Sequence, residues 1–381
     1  MSPSSIQRID RLLREGRGSL ADGAGPMRLV TGSPAADADC LAASVGYAFL
    51  LSLDAAPGTV VLPWTPVPRA DLGLRPEAGL LFRRSGLELS VLACAVVVVP
   101  EGVAGRPRSP ELVLVDSDGA WLPKAARGRI VEVLDHHPGA RRPAEAASLR
   151  WTVEQVGSTC TLVAERVLAR DPGLLDAGLA LLLLGPILLD TALLSVEARR
   201  CTARDRLMAG RLSEAAGTAQ AGLYAELLDA RQGLPGLSSR DLLRRDFKGG
   251  EAGGLRYGIS SSPVGLERWR ERDPALQLAV GRFLEERRLD LLLVMMGWEE
   301  SGAGFRRELG IAAADPRREA LTAAWLREAG LGLRELQAAA PAAGAPVRWF
   351  SQRAVEVSRK RLEPRLRTWL EAGGAGMGAG T

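Results

Sequence analysis

Eight side chains in four short stretches could do chemistry together. "SPAADADC" carries Asp37 and Asp39 two residues apart, and "LVLVDSDG" brings Asp116 and Asp118. "EVLDHHP" sets Asp135, His136 and His137 in a row, and "GPILLD" closes on Asp190. His136 and His137 are the only two histidines of the 381-residue chain. Several carboxylates converging with imidazole in one crevice repel each other unless cations sit between them. Oxygen and nitrogen ligands without thiolate suit Mn2+ or Mg2+ better than a structural zinc. Two such ions can share a water, lower its pKa and clamp the oxygens of a phosphoryl group. Taken singly, the pieces have ordinary readings: a D-x-D in a loop is usually a turn, Asp116 could simply end a strand, and adjacent histidines often mark a solvated turn. Asp190 after a leucine run resists such a reading, because an unpaired buried carboxylate is costly. Jointly the four stretches point to a metal cluster.

The elements that must position these residues are legible as runs. "MRLV" (27–30), "GTVVLP" (58–63), "ELVLVD" (111–116) and "RIVEVLD" (129–135) read as strands. They are continuous apolar runs, the sign of a parallel sheet covered on both faces. Helical segments fall at 38–53, 157–170 and 174–194, an order that indicates an α/β doubly wound domain. In such sheets ligands bind at the carboxyl ends of the strands, which is where the acidic stretches lie. From 200 to 240 the sequence turns polar and helical. A second, smaller α/β unit follows, with strands in "GLRYGISSS", "LDLLLVMMGW" and "RRELGIAAA" and a helix over 355–371. A domain boundary is expected near 200–222, and the tail "EAGGAGMGAGT" is expected to be mobile.

Composition excludes several classes. Apolar residues make up 46% and charged residues 25%, which suits a folded chain. The formal charge is +4, a mild basic excess that fits an anionic ligand without demanding one. Only Lys124, Lys248 and Lys360 among the 49 basic residues are lysines. The four cysteines form no CxxC pattern, so a disulfide framework or structural zinc is not expected, and a reducing compartment, cytosolic or nuclear, is. The N-terminus lacks the apolar core of a signal peptide, and the run "LALLLLGPILLD" is too short to span a membrane. No aromatic-interleaved basic stretch suited to nucleic acid is present. No G-x-S-x-G elbow and no G-x-x-x-x-G-K-[ST] loop occurs, which sets aside a serine hydrolase and a P-loop NTPase.

In order and spacing, the four acidic stretches resemble the four motifs of the DHH phosphoesterase superfamily. Within it the chain is similar to the prune-type exopolyphosphatase branch, related to family II inorganic pyrophosphatases. "VEQVGSTCTLVAERVL" resembles that branch's helix after the DHH segment, and "LLRRDFK" and "VSRKRLEP" resemble its second, DHHA2-type domain. The resemblance implies an N-terminal extension over 1–26, a DHH domain over 27–205, a linker over 206–221, a DHHA2-type domain over 222–370 and a flexible tail over 371–381.

It also implies roles. Asp37, Asp39, Asp116, His136 and Asp190 would bind two or more Mn2+ or Mg2+ ions. His137 would face the phosphate, and Asp135 would orient its neighbours. Lys248, Arg359 and Lys360 would hold substrate phosphate, arginine as a bidentate donor and lysine as a point charge. The implied activity is release of terminal phosphate from short-chain inorganic polyphosphate, with cyclic AMP as a further substrate. The alternative is a weakly active or inactive scaffold that binds nucleoside diphosphate kinase and regulates cell migration. The chain departs from the pattern at Ser33 and Ser117, where relatives carry histidine or asparagine.

Overall fold

The computed structural model of the chain describes residues 3–374, apart from 23–24, 95–109, 138, 141, 143–148, 198–199, 233–236, 301–303 and 337–346. Most of the tail expected to be mobile lies outside the described residues. The chain forms two compact units, Met1–Gly233 and Leu234–Thr381.

In the first unit six strands make one sheet: β1 (Met27–Thr31), β2 (Val60–Thr65), β3 (Ala93–Cys94), β4 (Glu111–Val115), β5 (Ile130–Asp135) and β6 (Arg150–Val153). Their order is β3-β2-β1-β4-β5-β6, and every pairing is parallel. The apolar runs are buried on both faces by simple alternation. Val30, Val61, Val113 and Val115 face a large cluster, and Leu29, Leu62, Leu112 and Leu114 face another. The first cluster is closed by helices α2 (Ala38–Ser52), α4 (Thr159–Arg170) and α5 (Ala177–Asp190), with α1 (Ser5–Asp22) and α3 (Pro76–Arg84) beside them. α2 and α5 are apolar all round and correspondingly buried.

The strand order places the topological switch point between β1 and β4, because the chain leaves β1 toward β2 and β3 and then returns to the other side. At such a point the loops after the two strands part and leave a crevice. Gly32 is needed at its floor, since a Cβ there would lie 2.0 Å from Cys40 Sγ and 3.0 Å from the Val115 carbonyl.

Four sequence expectations are corrected here. The two-residue β3, inside the apolar run "VLACAVVVV", and the half-exposed β6, which carries no such run, were not anticipated as strands. The helix expected over 174–194 stops at Asp190, since Ala192, Leu193 and Leu194 all adopt left-handed backbone, with φ of 50°, 57° and 59°. The residues before 27 are not a peripheral extension: Ile9 and Leu13 on α1 are buried in the main core. The first unit also runs past the linker expected at 206–221. Helices α6 (Ala203–Ala216) and α7 (Gln220–Gln232) pack back on α5, and α7 on α3. Their Leu212, Leu223 and Leu227 join the same core.

The second unit holds a mixed sheet of β7 (Phe247–Ala252), β8 (Leu255–Ser262), β9 (Leu291–Glu300), β10 (Gly304–Ala313), β11 (Leu333–Glu335) and β12 (Val347–Gln352), in the order β11-β12-β10-β9-β8-β7. Only β8 and β9 pair in parallel. In β9, Leu291, Leu293 and Met295 face one cluster and Leu292, Val294 and Met296 the other. Helices α8 (Ser239–Arg245), α9 (Leu266–Arg272) and α10 (Leu276–Glu286) cover the second of these, and α11 (Pro316–Glu328) and α12 (Arg359–Glu371) the first.

Candidate metal centre at the switch point

Each acidic stretch arrives at the crevice by a different local device. Asp37 is the N-cap of α2, its side chain accepting from the Cys40 N–H at 3.0 Å, a role aspartate fills well. Asp39 lies two residues on, in the first turn, and is buried. Asp116 directly follows β4 with a left-handed φ of 54°, which turns the chain sharply at the strand's end and which aspartate tolerates better than most residues. Asp135 is the last residue of β5, and Asp190 the last of α5.

The N-terminus of α4 ties these together. Asp39 accepts from Ser158 Oγ at 2.6 Å, Thr159 N at 2.8 Å and Cys160 N at 3.0 Å. Thr159 Oγ1 also donates to Asp116 Oδ1 at 3.3 Å. Free N–H groups at a helix start favour a negative charge. One helix end therefore positions carboxylates from two different loops.

His136 faces the same carboxylates. Its Nδ1 lies 2.9 Å from the Val156 carbonyl. A carbonyl can only accept, so Nδ1 carries the proton in that bond, and in the neutral ring Nε2 keeps its lone pair. Nε2 points at Asp116 Oδ1, 3.3 Å away, and at Asp39 Oδ2, 3.9 Å away. This is how a metal-binding imidazole is commonly held. Asp135 Oδ1 accepts from the backbone N–H of His136 at 2.7 Å and of His137 at 3.2 Å, and lies 2.9 Å from His137 Nδ1. With its side chain nearly sealed from solvent, Asp135 is an orienting carboxylate beneath the pair. The His137 ring is more than half exposed at the mouth of the crevice.

The electrostatics are those of a crowded anionic pocket. Burial, then the charges of Asp39 and Asp37, pushes Asp116 up to about 7, with His136 opposing. Burial and the neighbouring Asp39 and Asp37 drive Asp190 well above the ordinary carboxylate range. Burial also raises Asp37, with Asp39 adding to it against the Cys40 N–H. His136 reaches about 10: its burial works against the charged ring, but the bond to Asp116 and the charge of Asp39 prevail. Asp135 goes the other way, since burial is outweighed by its bonds from His137 and His136 and the carboxyl is held low. Asp37, Asp116 and Asp190 are all raised with the Asp39 charge contributing, and nearby cations would relieve that repulsion.

Among the described residues, Asp116, His136 and His137 offer potential ligand atoms all within 4.8 Å of one another. Oxygen and imidazole donors without thiolate fit a hard or borderline divalent ion. This tight group includes His137, which the sequence reading set outside the ligands. Asp37, Asp39 and Asp190 surround it by charge, the first two with oxygens engaged by helix N–H groups. Ser117 takes no part: its Oγ accepts from Gly119 N and Trp121 Nε1, both at 3.2 Å, and Asp118 caps Ala120 N in the same turn. Ser33 Oγ similarly accepts from Ala35 N at 3.3 Å.

In the second unit Lys248 lies exposed on β7, and Arg359 and Lys360 open α12. Arg359 donates to the Asp246 carbonyl at 2.8 Å and to its Oδ1 at 2.7 Å, which joins the "DFK" and "SRK" segments. Sequence reasoning missed two side chains. Buried Arg75 donates twice to the Ala35 carbonyl and so pins the loop before Asp37. Asp205 is fully buried behind α4. Arg75 sits in no recognisable motif, and the T-x-x-D of Thr202 and Asp205 reads only as a helix cap.

Comparison with known proteins adds three kinds of likeness. The DHH family, N-terminal domain model matches residues 28–186, and the DHHA2 domain model matches residues 225–369. Exopolyphosphatase PRUNE1 of Rattus norvegicus is 26% identical over 353 residues, 91% of this chain and 76% of its own. The manganese-dependent inorganic pyrophosphatase of Methanothrix thermoacetophila is 24% identical over 203 residues, 52% of this chain and 64% of its own. In fold, a crystal structure described as a Methanococcus jannaschii family II inorganic pyrophosphatase superposes with a TM-score of 0.52 at 20% identity, covering 90% of this chain and 99% of that one.

Proposed function

The chain belongs to the DHH superfamily, in the branch that couples a DHH domain to a DHHA2 domain, and from that premise we propose that it hydrolyses phosphoanhydride bonds with divalent cations, as a short-chain exopolyphosphatase. The observation that carries the reading is the burial of Asp37, Asp116 and Asp190 close enough to Asp39 for its charge to help raise all three. The exopolyphosphatase and manganese-dependent pyrophosphatase relatives support the same chemistry.

In this reading Asp37, Asp39, Asp116, His136 and Asp190 hold two or more divalent ions, Mn2+ foremost, with His137 at the edge of the group. Bound there, such ions supply Lewis acidity that activates water and neutralises phosphoryl oxygens. The chain's own residues do the rest. The Ser158–Cys160 donors fix Asp39, and the Val156 carbonyl holds the His136 Nε2 lone pair inward. His137, raised above the ordinary imidazole value chiefly by its bond to Asp135, presents a proton toward the departing phosphate. Lys248, Arg359 and Lys360, in the second unit, are the candidate binders of substrate phosphate.

The test is phosphate release from tripolyphosphate, tetrapolyphosphate, pyrophosphate and cyclic AMP, with Mn2+, with Mg2+ and with chelator. Metal-dependent release from the short polyphosphates is expected. Protein that binds Mn2+ yet releases phosphate from none of them overturns the assignment and favours a scaffold.

A further inference from the structure

We infer that Asp205, on α6 and outside the four acidic stretches, is a positioning residue for the metal centre. The inference rests on the metal-binding reading above. Asp205 is completely buried, and its carboxylate accepts five hydrogen bonds from four donors. Two belong to its own helix cap, Thr202 N and Thr202 Oγ1, both at 2.7 Å. The others come from the loop before α4 and from α4 itself. Gly157 N lies 3.0 and 2.9 Å from the two carboxylate oxygens, and Thr161 Oγ1 donates at 2.7 Å.

What Gly157 separates gives this bond its consequence. On one side Val156 offers the carbonyl that fixes His136 Nδ1. On the other, Ser158, Thr159 and Cys160 supply all three hydrogen bonds to Asp39. Asp205 thus stands one peptide unit behind the partners of two proposed ligands. The loop packs tightly against its neighbours: a Cβ on Gly157 would meet Thr191 Cγ2 at 2.4 Å and the Arg200 carbonyl at 2.7 Å. An ordinary helix cap needs one or two donors at its own N-terminus; two further donors, Gly157 N from the ligand-bearing loop and Thr161 Oγ1 from α4, exceed that need. Residues that orient metal ligands typically change metal affinity ten- to a hundredfold when altered.

The experiment compares Mn2+ binding by calorimetry and thermal unfolding with chelator, for the full chain and three near-isosteric variants. Asp205→Asn loses acceptor capacity and is expected to weaken Mn2+ binding about tenfold or more. Thr161→Val cuts the tie to α4 and is expected to weaken it severalfold. Thr202→Val cuts only the cap side, so it lowers the melting temperature and leaves Mn2+ affinity within about twofold. If Asp205→Asn does not fold, the two threonine variants decide: equal Mn2+ affinities, with only stability changed, overturn the inference. Wild-type protein that binds no Mn2+ refutes the metal reading itself, a separate outcome.

Discussion

At the scale of single residues, the metal-free protein pays for its pocket in proton affinity. An unfolded chain releases the Asp116 proton near the ordinary 3.8, the folded chain only near about 7. Between those values the native state binds more protons, so stability falls as pH rises. For His136 the same sign holds over a higher window: stability present below 6.5 is lost as pH climbs through about 10. Calorimetric melting in chelator is therefore expected to show a falling Tm from about pH 5 to about pH 8. Added Mn2+ should raise Tm by an amount that grows with pH, because the cation displaces those protons. Asp116→Asn removes one repelling charge. It should raise Tm in chelator while cutting metal-dependent phosphate release roughly a thousandfold. A lowered Tm would show that Asp116 is stabilised by partners other than cations.

At the scale of elements, the N-terminus of α4 is the piece on which the centre turns. Ser158 caps that helix and donates to Asp39 from one hydroxyl. Ser158→Ala should cost about 1 kcal/mol of stability and weaken Mn2+ binding as well, measurable by denaturant melts and calorimetry on the same samples. The apolar runs of β1, β2, β4 and β5, and the acidic residues at their ends, were readable because burial on both faces and burial of charge leave marks in consecutive residues. The donors that hold those carboxylates were not. Ser158 lies 119 residues from Asp39, and Asp205 acts through a backbone N–H, which no side-chain pattern records. β7, "FKGGEA", was missed for a related reason: as an edge strand with two glycines it lacks alternation, although it carries Lys248. The overrun of the helix expected to 194 came from reading leucines as helical where the backbone turns left-handed.

At the scale of the whole molecule, the acidic stretches and the candidate phosphate-binding cations belong to different units. The first concentrates anions, and the second offers exposed Lys248 and Lys360 beside an Arg359 already braced by Asp246. If those lysines bind substrate phosphate, Lys248→Ala and Lys360→Ala should raise KM for tripolyphosphate severalfold, more at low salt than at high. Their Mn2+ affinity should match wild type. A fall in Mn2+ affinity would assign them to metal binding instead.

The central claim is that the four aspartates and His136 share cations. Anomalous diffraction at the manganese edge, from crystals grown with Mn2+, tests it most directly. Peaks are expected among the carboxylates of Asp37, Asp39, Asp116 and Asp190 and His136 Nε2. Manganese bound elsewhere, with that pocket bare, would contradict it.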